Sequence, residues 1–319
     1  HSFNQSAWEG AKQYAAAHHM KAGQNAPVTY FTTTDHSDLD QNFNLATKNH
    51  KYQIVYGIGY SLNQAITKSA KLNPKQKFVL VDDIVTNQPN VASVMFRSEQ
   101  SSYLAGVAAA IKAKENGEKA VGFIGGIHGN IIDAFDAGFE AGVKATDPTL
   151  TVEKQYANSF TDSAKGKTIA AAMYASGIRT IFAAAGFVGN GAFTEAKAEN
   201  SKLDADSKQR LYIIGVDRDQ KADGAYKSKD GKSETSTMAS SITSVGAGVK
   251  NIADAYNKDH SFPGGKTVAY GLKERGVYLT KSELTPAQKT AVDKAEKGII
   301  DGTIKVPNHP AGSQFNQKF

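Results

Sequence analysis

Residues 120–145 read AVGFIGGIHGNIIDAFDAGFEAGVKA, and the order of its three parts decides the fold. AVGFIGG (120–126) is a short apolar run that predicts a strand covered on both faces. A turn containing Gly125, Gly126 and Gly129 follows it. IIDAFDAGFEAGVKA then reads as a helix. A strand passing through a tight turn directly into a helix is half of a βαβ unit, and repetition of that unit builds parallel sheets.

The same alternation runs outward in both directions. Strands are expected at 28–33 (VTYFTT), 52–59, 77–83 (KFVLVDD) and 91–97 on one side. On the other they are expected at 151–157, 180–186, 211–217 (LYIIGVD), 237–242, 267–272 and 276–280. Helical segments such as SLNQAITKSAKLN, SEQSSYLAGVAAAIKAKE, DSAKGKTIAAAMYASG and VGAGVKNIADAYNKD separate them. The fold class is therefore α/β with doubly wound parallel sheets. One sheet cannot comfortably hold this many strands, so a chain of 319 residues divides into two lobes. The first break is placed in the polar stretch KENGEKA after the long helix that ends near Lys114. A second polar stretch, 217–236, reads as a return crossing between lobes, with a tight loop at KDGK.

The first seventeen residues, HSFNQSAWEGAKQYAAA, break the pattern. Ser2 is placed to cap a helix, and Phe3, Ala7, Trp8, Ala11 and Tyr14 fall at helical spacing. A strand is expected before this helix.

Composition narrows the function. There is no cysteine, so neither a disulfide framework nor a thiolate metal site is available. The formal net charge is +6, but the basic residues are mostly single lysines such as Lys112, Lys114, Lys144 and Lys165. No arginine stripe or helix-turn-helix accompanies them, and a solvated basic surface is preferred over nucleic-acid binding. No apolar run is long enough to span a membrane.

Ligands of open parallel sheets gather at the carboxyl ends of the strands. Here those positions carry Gly57, Gly59, Tyr60 and Ser61; Asp82 and Asp83; Ser159, Phe160 and Asp162; Gly186 and Phe187; and Asp217, Arg218 and Asp219. His36 and His128 also follow strands, and solvated loop positions account for both. No zinc-protease, serine-hydrolase or phosphate-loop motif occurs, and GFIGGIHGN lacks dinucleotide spacing. Carboxylates with aromatic faces suit a neutral, planar, hydroxyl-rich ligand, since a carboxylate accepts from vicinal hydroxyls and a ring stacks on a ring. Plainer readings stand beside this one. A glycine after a strand serves a tight turn, Asp83 serves as a helix cap, and Phe160 serves as a hydrophobic staple. Asp217 ends an apolar strand and precedes polar linker, so a cap does not explain it.

Six ordered segments, SFNQSAWEG, YLAGVAAA, GFIGGIHGNIIDAFDAGFEAG, SFTDSAKGK, AAAGFVGNG and IIGVDRDQ, together resemble the basic membrane protein family of purine-nucleoside-binding lipoproteins. The resemblance implies the type I periplasmic-binding-protein fold, two α/β lobes joined by three crossings. Its lobes are expected at 1–112 with 237–266, and at 113–236 with 267–319. It further implies an extracytoplasmic substrate-binding subunit of an ABC importer that is not an enzyme, uses no cofactor, acts as a monomer and delivers a purine nucleoside to a permease. The family's first strand, its Asn- or Asp-bearing turn and its lipidated cysteine are expected before His1.

Carried over by position, Phe3 matches a purine-stacking aromatic, with Asn4 beside it. Phe160 matches the stacking aromatic of the opposite lobe, Asp217 the carboxylate on the ribose hydroxyls, and Gly186 the glycine turn beside the sugar. Tyr60, Ser61 and Asp82 share one further polar contact. Where the family often has a lysine, this chain has Thr243 or Ser244. The alternatives are a sugar-binding protein of the same fold, a nucleoside hydrolase built around Asp82 and Asp83, and the sensing core of a repressor.

Overall fold

The structure, a computed structural model, describes residues 2–313 and 319. In chain order its elements are α1 (Ser2–Ala17), α2 (Leu39–Thr47), β1 (Ile54–Ile58), α3 (Asn63–Leu72), β2 (Lys77–Val81), β3 (Val91–Phe96), α4 (Ser98–Glu115), β4 (Ala120–Gly125) and α5 (Asn130–Thr146). Then come β5 (Thr151–Tyr156), α6 (Ser163–Ala175), β6 (Thr180–Ala184), α7 (Phe187–Asn200), β7 (Tyr212–Asp217), β8 (Ala225–Lys227) and β9 (Ser233–Thr235). β10 (Thr237–Thr243), α8 (Val245–Asp259), β11 (Thr267–Tyr270), β12 (Val277–Leu279) and α9 (Pro286–Asp301) complete the chain. The strand expected before α1 lies outside the described residues.

Two sheets result. The first has the order β1-β2-β3-β11 and is wholly parallel. The second has the order β12-β10-β7-β6-β4-β5 and is parallel except for β12. Both bury side chains on two faces, as their apolar runs require. In β2, Phe78 and Leu80 pack with Phe43 and Ile66 of α2 and α3. Val79 and Val81 face the opposite way, with Ala7, Val249 and Ile252 of α1 and α8. In the second sheet Ile124, Ile181 and Ile213 meet α6 and α7, and Phe123, Phe182 and Ile214 meet α4, α5 and α9. Rings fill that second layer, Phe182 standing 5.8 Å from Phe123 and 5.1 Å from Phe139.

Three expectations are corrected. VTYFTT (28–33) forms no strand; Val28 makes one isolated bridge to Ala22, and Tyr30 and Phe31 are exposed. Its β-branched and aromatic composition has no neighbouring strand to pair with among the described residues. The stretch 217–236 is no crossing. It stays on the second lobe as the hairpin β8–β9, turning at Gly231 with φ 82°. The lobe boundaries also shift. α4 packs on α5 and α9 of the second lobe, not the first. β10 pairs with β7 in the second sheet, and β11 with β3 in the first, the reverse of their expected assignment. Periodicity identifies a strand but not the sheet that receives it.

The chain accordingly passes between lobes at Arg97, at Ser244 and through 271–276, which makes three crossings. They lie side by side: the Arg97 N–H donates to the Tyr270 carbonyl (2.9 Å) and the Ser244 N–H to the Gly276 carbonyl (2.8 Å). Among the described residues no helix is long and apolar enough to cross a membrane.

Candidate functional site

The carboxyl ends of both sheets open on the space between the lobes, and a cavity of about 430 Å³ occupies part of it. One wall is α1, which turns Phe3, Ser6, Gly10 and Gln13 inward at spacings of three and four residues. A second wall is the start of α8, with Thr243 and Ser244 just ahead of it and Lys250 a turn and a half beyond. The floor is the end of β7, with Asp217, Arg218 and Asp219.

The α1 wall is set by glycine. A Cβ on Gly10 would lie 2.1 Å from the Gly246 carbonyl oxygen, so α1 and α8 touch backbone to backbone. The Gly246 N–H also donates to Ser6 Oγ at 3.2 Å. This close crossing carries Phe3 to the cavity.

Asp217 sits in a three-residue turn. Its φ is 71°, and the Arg218 N–H donates back to the Val216 carbonyl at 2.9 Å. A γ-turn with positive φ is strained for a non-glycine residue, and such strain gathers at functional positions. Surrounding protein pushes the Asp217 carboxyl up, with the Arg218 charge pulling it partly back. Asp82, at the end of β2, also has positive φ, at 79°. Burial pushes its carboxyl up to about 7, with the charges of Asp217 and Asp83 adding to the effect.

Of the expected residues, the structure brings Phe3, Asp217 and Thr243 to one cavity, with Ser244 beside them. Asp82 does not line that cavity but lies within the field of Asp217. Phe160 and Gly186 form a separate group on the rim of the second lobe. The Phe160 ring covers Gly126, where a Cβ would lie 2.2 Å from a ring carbon, and the Phe160 carbonyl accepts from the Phe187 N–H at 2.8 Å. Gly186 has φ 57°, a conformation glycine adopts without penalty, and its α-carbon faces the Phe160 backbone. Phe160 is 37% exposed, so a staple into the core does not describe it. Tyr60 and Ser61 stand exposed on the rim of the first lobe, Tyr60 at 67%. Asn4 is exposed on α1 and does not line the cavity.

The plainer readings hold in part. Asp83 is engaged by its neighbours, accepting from Asn63 Nδ2 at the start of α3 (2.7 Å) and from the Ile84 N–H of its own loop (2.8 Å), and it accepts no capping bond from a helix N–H. Asp162 caps α6 by accepting the Lys165 N–H at 2.9 Å. His128 stacks on Tyr156 with ring centroids 3.5 Å apart and bonds Asp133 at 2.9 Å, away from the cavity. No three His, Asp or Glu side chains cluster at metal-binding distance among the described residues. Sequence reasoning missed Ser6, Gln13 and Lys250 as cavity residues. Their spacing from Phe3 and Thr243 along α1 and α8 is the signal that would have found the wall.

A family profile described as ABC transporter substrate-binding protein PnrA-like matches residues 1–309. The ABC transporter nucleoside-binding protein BmpA of Lactococcus lactis subsp. cremoris is 47% identical over 96% of this chain and 85% of its own length. Basic membrane protein A of Borreliella burgdorferi is 31% identical over 100% of this chain and 87% of its own. Among solved structures, an ABC transporter solute-binding protein from Aeropyrum pernix superposes with TM-score 0.72 at 22% identity, covering 95% of this chain and 88% of that one. At that identity the likeness speaks for the fold, which is that of periplasmic-type solute-binding proteins.

Proposed function

We infer the function from one premise, that the chain belongs to the PnrA-like family of ABC transporter substrate-binding proteins: it captures purine nucleosides outside the cytoplasm and delivers them to a membrane permease. One observation carries the choice of ligand. Phe3 and Asp217, an aromatic ring from the first lobe and a carboxylate from the second, line a single cavity. A flat base with a diol is the kind of molecule that uses both.

In this reading the purine stacks on Phe3. Phe160 supplies the opposite face as the lobes close, each stack adding roughly 0.5–1.5 kcal/mol beyond burial. Asp217 accepts hydrogen bonds from the ribose hydroxyls, charge-assisted and therefore strong. Thr243 or Ser244 adds a neutral hydroxyl at the sugar. One further polar contact from the first lobe falls to Tyr60 or Ser61, or to Asp82, and Gly186 leaves room for the sugar. Contacts made from both lobes favour the closed form, and the three adjacent crossings at Arg97, Ser244 and 271–276 supply the hinge. No bond is made or broken. The protein acts as a monomer, held at the outer face of the membrane by a lipid anchor, an attachment that the names of the basic membrane proteins support.

A thermal-shift and calorimetric panel tests the reading. Adenosine, inosine or guanosine should stabilise the protein, and free ribose, glucose and nucleobases should do so far less. Stabilisation by a hexose without response to any nucleoside points to the sugar-binding alternative. Release of hypoxanthine from inosine points to a hydrolase.

A further inference from the structure

Gln220 follows Asp217 by three residues and is 9% exposed, although it is polar and lies in a loop. Every polar group it owns is engaged. Its Oε1 accepts the Val216 N–H at 2.8 Å. Its Nε2 donates to Asp223 Oδ2 at 2.9 Å. Its backbone N–H donates to Ser240 Oγ (3.0 Å) and its carbonyl accepts from Thr237 Oγ1 (2.9 Å), both on β10. The amide lies flat on the sheet where Gly215 leaves space, since a Cβ there would stand 2.4 Å from Gln220 Oε1.

These bonds converge on Asp217. Val216 is the first residue of its strained turn. Gln220 holds the Val216 N–H while the Arg218 N–H holds the Val216 carbonyl. Asp223, the other partner of the amide, pairs with Arg218 at 2.7 Å. It thereby fixes the cation whose charge acts on Asp217. A strained backbone persists only where its surroundings over-determine it, and here one side chain holds the Val216 end of the turn directly and reaches the Arg218 end through Asp223.

We propose that Gln220 is the positioning residue for Asp217, holding its carboxylate toward the cavity and so setting the protein's preference for ligands that carry a ribose diol. This rests on the nucleoside reading above. Gln220 touches no ligand; it acts through the turn.

Calorimetry on the intact chain, with adenosine and 2′,3′-dideoxyadenosine as probes, separates positioning from general support. Gln220→Met keeps the volume and removes the hydrogen bonds. It should weaken adenosine binding about tenfold or more, the usual consequence of losing a buried polar contact, while dideoxyadenosine binding stays within about twofold. In an Asp217→Ala background the same change should have no further effect on adenosine, because the group it positions is gone. Should Gln220→Met not fold, Gly215→Ala dislodges the amide without altering residue 220 and should give the same selective loss. An equal loss for both ligands, or a loss that persists in Asp217→Ala, overturns the positioning role while leaving nucleoside binding intact. Equal affinity of the unmodified protein for the two ligands overturns the ribose role of Asp217 itself, and the inference with it.

Discussion

The charge of Asp217 raises the pKa of Asp82, although the two residues end strands of different sheets. Two carboxyl groups from opposite lobes therefore share one field.

That relationship has a measurable consequence in the free protein. The Asp82 carboxyl is raised from 3.8 to about 7, by burial first and then by Asp217 and Asp83. Between those values the folded state keeps a proton that the unfolded state has lost, so stability falls as pH rises through the window. Asp82→Asn should remove this loss. We expect a gain on the order of 1 kcal/mol at pH 8, discounted because Asp82 is partly open to the cleft, and almost none at pH 4. Urea midpoints at the two pH values check it; equal gains at both count against the shared field.

Phe160 offers a test of ligand binding separated from folding. Its ring lies on Gly126 and is substantially exposed, so Phe160→Ala should change the unfolding free energy little, by less than about 1 kcal/mol. Adenosine affinity should fall about tenfold, the worth of one lost stack and its burial. Gly126→Ala approaches the same site from beneath, since its Cβ would meet the ring at 2.2 Å and push it aside. Unchanged affinity in both variants removes Phe160 from the site.

The strand–helix alternation made the α/β class legible, because short β-branched and aromatic runs such as KFVLVDD and LYIIGVD, bounded by turns and alternating with helical segments, favour buried strands over buried helices. The grouping of strands into sheets was not legible. β10 and β11 are short runs of similar composition, and which sheet each joins depends on loop paths and on the crossings near Arg97 and Ser244. VTYFTT misled because strand propensity reports a side chain's fit to a pleated surface, which 28–33 lacks here. Of the candidate residues that end strands, Asp217 lines the cavity and was legible from position, whereas Asp82 ends a strand but lies off that cavity. Gln220 was not legible, since a glutamine in a polar linker gives no signal until Gly215 and Val216 are seen around it.

The α1–α8 crossing predicts a different kind of defect. A Cβ on Gly246 would stand 2.4 Å from the Ser6 carbonyl oxygen, and both groups belong to backbones that cannot turn aside. Gly246→Ala should therefore cost about 2–3 kcal/mol as overpacking. It should also weaken adenosine binding, because α1 carries Phe3. Gly231→Ala, at an exposed turn with φ 82° and open space around it, should cost about 1 kcal/mol through backbone strain alone and leave binding unchanged. A chemical-denaturation series with parallel calorimetry distinguishes them, and a Gly246→Ala protein with normal affinity would separate Phe3 from the cavity wall.

Glu99 carries the last prediction, at the first crossing between the lobes. It is 3% exposed, at the second position of α4 and two residues past the Arg97 crossing, and its Oε2 has no hydrogen-bond partner. Burial pushes its carboxyl from 4.5 up to about 7, while its own backbone N–H and Arg97, 4.0 Å away, pull it back only in part. Protonated below that value, the side chain sits in the core without a charge to solvate; above it, the ionised form is penalised. Stability contributed at this position is therefore present at low pH and lost as pH rises through about 4.5 to 7. Glu99→Gln keeps the shape and removes the titration, and should stabilise the protein by roughly 1–2 kcal/mol at pH 8 with little change at pH 4. Glu99→Ala leaves a cavity where the buried side chain stood and should destabilise at both. If Glu99→Gln instead lowers the pH 8 melting temperature, the ionised carboxylate is being stabilised at the hinge, and the direction argued for Glu99 is wrong.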